Sequence, residues 1–544
     1  MFHATAILTF LLSLSAGAFF DLEIPAQKAS IKTVGTKTDE GWNLWSNGYL
    51  GDWIKFDKKG KYTVTIKAKG EKAAGEWPAM ELFADTVSVK RWCVEKAEFT
   101  DYSAEIELEG GVHQLLVAFR NDFNAQGEDR NLHIASIRIT PPEGIKDPSA
   151  ASEPNWREEA DKRIEAMRKG ELTIKICDGE GKPIKGAKVA VRLSKHEFKF
   201  GTCLNTRFFG ERTDNDAAKK YRETLRKYFN CAVFENAFKW PAMEPTSGMP
   251  FYVRVDAALK WCTEKRIPVR GHCIFWANEK RVPKWAREFD DDGLREAIDR
   301  RIKRDLGRYR GKITEYDVNN EMIAHDYFEK RLGPEIRAHM FKLAHETDAG
   351  ARLFANDYNI LNGAAIDKYE KQIESLLKAG APVGGIGCQG HFGEKMPSPA
   401  TMKFLFDRLA RFKLPILVTE FDINTRDEEI KAKQLADFYR LAFSHPAVEG
   451  VLMWGFWEGS HWRPAAAIFN RDFTPRPAAD AYRKLVFEEW RSREDGVTGE
   501  DGTFKCRVFY GSYGLTVTTE GLPKCYQTTF TSVEKDKTVT INLK

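Results

Sequence analysis

The 544-residue chain lacks the marks of several function classes. None of its nine cysteines stands in a Cys-x-x-Cys pair, so the common zinc and dithiol spacings are missing. Charge of one sign is not concentrated anywhere: 84 Lys and Arg face 79 Asp and Glu, a net of +5, without the basic block that nucleic-acid binding uses. Beyond the first twenty residues no apolar run approaches the length of a membrane-spanning helix. A Gly-rich loop between a strand and a helix, which would cradle a phosphate, is also missing, and this argues against a doubly wound nucleotide-binding sheet.

What is present points to a multidomain globular protein. Hydrophobic residues make up 42% and charged residues 30%, enough apolar content for a real core. The length suggests three or four structural units. Aromatic content is 12%, including 14 Trp. Indole rings fill cores, and they also pack against the apolar face of a pyranose, so composition leaves both uses open. Residues 1–18 read as an export signal: Ala4 to Leu14 is largely apolar and Ala16-Gly17-Ala18 offers a small-residue cleavage site. No Lys or Arg precedes the apolar run, and a buried N-terminal element is the alternative. The expectation is a secreted, extracellular monomer with no nucleic-acid and no membrane partner.

Residues 21–142 alternate apolar and polar, as in Tyr62-Thr63-Val64-Thr65-Ile66 and Ala104-Glu105-Ile106-Glu107-Leu108, with turn signals at short spacing. That period of two predicts a β-sandwich. Residues 143–170 read as a Pro-, Ser- and Gly-bearing linker and then a helix from Trp156 to Arg168. Residues 171–195 read as two strands around Asp178-Gly179-Glu180-Gly181, a small β element. From 196 to 490 short apolar strands alternate with amphipathic helices. The strands begin near Phe198, Cys231, Val269, Ile313, Leu353, Gly385, Ile416 and Gly450. Eight βα units in this length predict a (β/α)8 TIM barrel. Residues 495–544 predict a small C-terminal β-sandwich-like module, with Cys506 and Cys525 as a candidate disulfide. Cys203, Cys231, Cys273 and Cys388 fall in or beside barrel strands and read as small buried apolar residues.

In such a barrel the reacting groups sit at the C-terminal strand ends. The fourth strand runs into Asp317-Val318-Asn319-Asn320-Glu321 and the seventh into Leu417-Val418-Thr419-Glu420-Phe421-Asp422. Two converging carboxylates suit glycoside hydrolysis, where one donates a proton to the leaving oxygen and the other attacks the anomeric carbon. Metal binding and plain structural hydrogen bonding are the other uses of such residues. The remaining ends carry Glu235, Asn236, Lys239 and Trp240; His272 and Trp276; Asn356, Asp357, Tyr358 and Asn359; Gln389 and His391; and Trp454, Trp462 and Arg463. This polar and aromatic lining suits a polyhydroxylated ligand. Trp240, Trp276 and His272 also have bland readings as interior residues, and Asp317 reads as an orienting group.

Taken in order, Phe234-Glu235-Asn236-Ala237-Phe238-Lys239-Trp240, Arg270-Gly271-His272, Asp317-Val318-Asn319-Asn320-Glu321, Val418-Thr419-Glu420-Phe421-Asp422 and Trp454 resemble the motifs of glycoside hydrolase family 10, mainly endo-β-1,4-xylanases. The resemblance covers about residues 196–490. It implies a retaining double displacement on xylan and xylo-oligosaccharides, with Glu321 as acid/base, Glu420 as nucleophile and no cofactor for catalysis. It implies sugar contacts from Glu235, Asn236, Lys239, His272, Trp276, Asn320, Gln389, His391, Trp454 and Trp462, with Asp422 orienting His391. Ala277-Asn278 after Trp276 and Phe456-Trp457-Glu458 depart from the family's common wording. A related β-glycanase or oligosaccharide-acting glycosidase, and a non-catalytic carbohydrate-binding protein, are the alternatives. Val117 to Phe123 and Gly127 to Leu132 resemble calcium-dependent xylan-binding modules, and Asp122, Glu128 and Asp129 are the candidate Ca²⁺ ligands there. An Asn/Asp-rich turn is the plain alternative. The tail resembles small transthyretin-like β modules.

Overall fold

A computed structural model describes residues 21–125, 127–145, 148–151, 155–210, 213, 215–519, 526–532 and 536–543. The expected export signal over 1–18 and Cys525 of the expected disulfide lie outside them. The chain divides into two units, Met1–Pro154 and Asn155–Lys544. Among the described residues no helix is long and apolar enough to cross a membrane.

The first unit is the expected sandwich. One antiparallel sheet centres on Leu132–Thr140 and Gly60–Gly70, the other on Gly48–Phe56 and Gly111–Phe119. Val64, Ile66 and Ala68 of the first sheet and Leu115, Val117 and Phe119 of the second are buried in one core. This is how period-two segments bury one face. One boundary needs correction. Ser149–Ala150, placed in the linker by the sequence reading, is an edge strand paired with Lys55 and Ile54. Two residues among Pro and Ser are too few to display a period.

The second unit contains the barrel. Its strands are β1 (Lys199–Leu204), β2 (Cys231–Phe234), β3 (Val269–Arg270 continued by Phe275–Trp276), β4 (Glu315–Asn320), β5 (Arg352–Asp357), β6 (Gly385–Cys388), β7 (Ile416–Ile423) and β8 (Val448–Met453). Each pairs in parallel with the next. The pairing of β8 with β1 closes the ring. All eight begin within two residues of the expected positions. Cys203, Cys231, Val233, Phe354, Leu417 and Leu452 fill the interior, and Trp454 caps it. The other expected buried cysteines, Cys273 and Cys388, are buried too.

Helices cover the outside by their own periodicity. In Glu428–Phe443, Leu435, Phe438, Tyr439 and Ala442 recur at helical spacing and are buried. The Asp427 side chain accepts the Ile430 N–H and starts the helix, a cap worth about 0.5–2 kcal/mol. Phe438 stacks on Phe421 of β7 with centroids 4.5 Å apart, so this helix fixes the outer side of the strand that carries Glu420 inside.

The small β element before the barrel and the C-terminal β module pair with one another. Lys169–Cys177 pairs antiparallel with Thr503–Phe509 and parallel with Asp536–Asn542. Lys188–His196 lies between Arg493–Val497 and Gly511–Thr518. The two segments make the sheets together, and in sequence the barrel is inserted between their strands. The helix Trp156–Met167 leads into this arrangement. At its end Arg168 donates to the carbonyls of Phe443, His445 and Val448 at 2.8, 2.9 and 2.6 Å, tying the approach to the start of β8. Burial pulls the Arg168 guanidinium down to about 10, against the charges of Glu197 and Glu449.

Candidate active site

The two glutamates leave their strands at irregular points. On β7 the register against β8 shifts between Val418 and Phe421. Such a bulge re-aims side chains. Here it lets consecutive residues work on one side: Thr419 Oγ1 donates to Asn356 Oδ1 at 2.6 Å, and Glu420 Oε1 accepts from Asn356 Nδ2 at 3.0 Å. On β4 the register against β5 shifts between Asp317 and Asn320. Glu321 follows with φ +60°, a left-handed conformation that costs a non-glycine residue about 1–3 kcal/mol and recurs at working sites. Its backbone N–H is held by the Asn356 carbonyl at 2.9 Å.

The surroundings of the two carboxylates differ. Glu321 accepts from neutral donors, Trp276 Nε1 on Oε2 at 2.7 Å and Gln389 Nε2 on Oε1 at 2.9 Å. His325 Nε2 lies 3.6 Å away. Glu420 is 5% exposed and faces two imidazoles and the Lys239 ammonium. His391 Nε2 is 3.3 Å from Oε2, and His272 Nε2 is 3.9 Å from Oε1. Burial alone raises the Glu420 carboxyl, but His272, His391 and Lys239 together hold it below the usual carboxylate range. Glu420 is therefore poised as an anion.

A second layer sets those histidines. His391 Nδ1 lies 3.1 Å from Asp422 Oδ1, an ion pair without hydrogen-bond alignment. Burial opposes the His391 charge, yet Asp422 and Glu420 prevail and raise it to about 9. Trp462 Nε1 donates to the other Asp422 oxygen at 2.7 Å. On the far side His272 Nδ1 and Arg270 Nη2 both reach Asp317 at 2.9 Å, and Arg270 Nε reaches Glu315 at 3.0 Å. Burial works against the Asp317 charge, but Arg270 and His272 lower its carboxyl all the same. Asp317 is thus an orienting group.

Every expected sugar contact lines one cleft of about 720 Å³ with Glu321 and Glu420. Lys239 Nζ donates to Asn236 Oδ1 at 2.8 Å and lies over Trp276 and Trp454, 4.9 and 5.8 Å from the ring centroids. Burial raises the Glu235 carboxyl despite Lys239 and Asn205. Asn320 Oδ1 accepts from Asn356 Nδ2 at 2.9 Å. Trp462 is half exposed and tilts over His391 at 4.9 Å. Trp240 is excluded: it is buried against Phe275 and Trp285, with its N–H on Glu244. Asp357 is buried at the end of β5. Its Oδ2 accepts the Ile323 N–H at 2.9 Å, and burial raises it to about 7. The Ala277-Asn278 departure is accommodated locally, because Asn278 Nδ2 lies 3.2 Å from His325 Nε2 beside Glu321.

Sequence reasoning missed the role of Asn356, which joins Asn320, Thr419 and Glu420 through one amide. Its place at a strand end was the only signal. Arg281, closing the turn Glu279–Arg281, and Asn424, the residue after β7, also line the cleft.

Residues 191–485 match glycosyl hydrolase family 10. The chain belongs to glycosyl hydrolase family 10. Solved structures similar to the family 10 barrel include xylanase 10B of Thermotoga petrophila RKU-1 with xylobiose and native xylanase 10B of Thermotoga maritima. Each has a TM-score of 0.50 at 25% identity, covering 54% of this chain and 95% or 96% of the other. Anti-sigma-I factor RsgI6 of Acetivibrio thermocellus is 40% identical over 370 residues, and endo-1,4-beta-xylanase 1 of Arabidopsis thaliana is 36% identical over 371. These matches take in 68% of this family 10 chain but only 47% and 38% of those proteins, so the chain spans half or less of their length.

Residues 63–152 match a calcium-dependent xylan-binding carbohydrate-binding module. The donor set fits a hard cation in part. Asp122 Oδ1 is buried with no hydrogen-bond partner. Burial first, and then the nearby Asp129 charge, raise the Asp122 carboxyl, as expected of two acids that a cation would relieve. Glu128 does not join them. It is next to Asp129 in a two-residue strand, where neighbours face opposite ways, and its carboxylate accepts the Ala74 N–H. Exposed Trp45 stands one residue before Ser46, which bonds the Asp122 carboxylate, and sequence reasoning had not singled it out.

Proposed function

We propose that the protein is a retaining endo-1,4-β-xylanase carrying a calcium-dependent xylan-binding module. The observation that carries the reading is the contrast within one cleft: Glu420 held low beside His391 and Lys239, Glu321 held by neutral donors. In the first step Glu420 attacks the anomeric carbon and forms a glycosyl ester, while Glu321 gives its proton to the departing oxygen. In the second, Glu321 takes a proton from water, which attacks the same carbon and releases Glu420. His391, itself held by Asp422, keeps Glu420 ionised between turnovers. Asn356 holds Asn320 where a sugar 2-hydroxyl would meet it. Trp454 and Trp462 bound the cleft where a hexose would carry its hydroxymethyl group, which favours xylose over glucose.

In the module, Asp122 and Asp129 would hold Ca²⁺, which supplies a charge for sugar hydroxyls, and Trp45 offers a ring beside them. The apolar start of the chain supports export, and the protein acts on xylan outside the cell as a monomer.

The test is reducing-sugar release from xylan by the wild type and Glu420→Ala. The reading expects activity that falls by several orders of magnitude in the variant. An inactive wild type points instead to another β-glycan or to binding alone, and an active variant removes Glu420 as nucleophile.

A further inference from the structure

A second cavity, of about 610 Å³, opens beside the cleft after β7 and β8. It is lined by Asn424, Arg426, Glu428, Glu458, Arg463 and Arg476, and Asn424 and Arg463 line the catalytic cleft as well. Its size falls within the roughly 300–1,000 Å³ of small-molecule sites.

The charges sort into spent and unspent groups. Arg476 is committed: it bonds Glu458 at 2.8 Å, Asn470 at 2.8 Å and the Ala467 carbonyl. Glu458 is further met by Arg471 at 3.5 Å. Glu428 Oε1 is held by Lys431 at 2.8 Å and faced by Arg476 at 3.6 Å. Arg426 is exposed and, among the described residues, has no hydrogen-bond or ion-pair partner. Arg463 lies 4.0 Å over Trp462 and makes only a long 3.6 Å pair with Asp422. One acceptor is also idle: Glu428 Oε2 is buried without a hydrogen-bond partner. The cavity therefore offers two available guanidinium groups and one buried acceptor, next to where the main chain of the glycan is cut.

We propose that this cavity is a side pocket for an acidic sugar branch, a hexuronic acid substituent on the xylan backbone. Arg426, helped by Arg463, receives the carboxylate, and Glu428 Oε2 accepts a hydroxyl of the same residue. A bare anion would use the arginines but leave the buried acceptor unmatched, and a neutral pentose branch would leave the arginines idle. Guanidinium groups suit a carboxylate because their paired N–H groups match its two oxygens. The proposal rests on the xylanase reading.

The test compares kcat/KM for a xylo-oligosaccharide with one hexuronic acid branch and for the same compound with its carboxyl reduced to an alcohol. An unbranched oligomer reports on catalysis itself. The wild type is expected to favour the acidic substrate by about three- to tenfold, an advantage that shrinks as salt rises. Arg426→Ala is expected to abolish that preference while leaving the unbranched oligomer unaffected, and Arg426→Glu to reverse it. Equal rates on the acidic and reduced compounds in the wild type, or an unchanged preference in Arg426→Ala, overturn the proposal. If the unbranched oligomer is not cut, the xylanase reading fails. The pocket is then judged by calorimetric binding of the same acidic and reduced pair, where equal affinity overturns it.

Discussion

Replacing Asn356 by alanine tests the wiring of the nucleophile. The Asn356 side chain is fully buried and donates to Glu420 Oε1 at 3.0 Å and Asn320 Oδ1 at 2.9 Å, while accepting from Thr419 at 2.6 Å. A hydrogen bond to a charged group contributes about 1.5–3 kcal/mol. Asn356→Ala removes a donor from the charged carboxylate and therefore raises the Glu420 carboxyl. The sign follows from which form works. In the proposed mechanism the ionised carboxylate is the nucleophile; its carboxyl is held low in the wild type, so activity is expected to fall as pH drops through that value. In the variant the acid limb of kcat/KM moves up in pH. The plateau falls about tenfold as well, since Asn320 loses its anchor and about 1.4 kcal/mol is a factor of ten. The assay is kcat/KM against pH on a soluble xylo-oligosaccharide, with the wild type run alongside. A lower plateau with an unmoved acid limb would refute the reasoning, because it would mean Asn356 only shapes the site.

Other consequences are checked more simply. Glu321→Ala should lose xylan hydrolysis but keep much of its first-step rate on an aryl xyloside, whose leaving group needs no proton; equal loss on both would deny Glu321 the acid role. Asp317→Ala should lower stability by about 3–5 kcal/mol in a denaturant melt, because Arg270 and His272 lose a buried partner. A change under 1 kcal/mol would mean the network is slack. Chelation, or Asp122→Ala, should weaken insoluble-xylan binding by the N-terminal module and spare hydrolysis of soluble oligomers. Loss of both would tie calcium to the barrel instead.

The barrel was legible because its strands are short apolar runs in which each element announces itself locally, and because strand ends in a closed ring must converge. That logic placed Glu321 and Glu420, and with them His391 and Asp422. The flanking β segments were not legible as a pair. Lys169–Cys177 and Asp536–Asn542 lie far apart in sequence, and no local period shows which strand a segment will choose. Glu128 was grouped with Asp129 by composition, whereas the pleat sends the two side chains apart. Asn356 and Arg426 escaped for a related reason: an amide that bridges two strands, or a cation left over once its neighbours have paired, is defined by three-dimensional bookkeeping. Trp240 shows the converse, a residue inside a site motif that packs in the core.

The central claim is that Glu420 forms a covalent bond to the sugar. Incubation with a 2-deoxy-2-fluoro xylobioside bearing a good leaving group, followed by peptide mass spectrometry, tests it directly. The account predicts a stable adduct of the fluorinated sugar on the peptide containing Glu420, with loss of activity in step with labelling. An adduct on a different residue, or full turnover to products of inverted configuration without labelling, would contradict it.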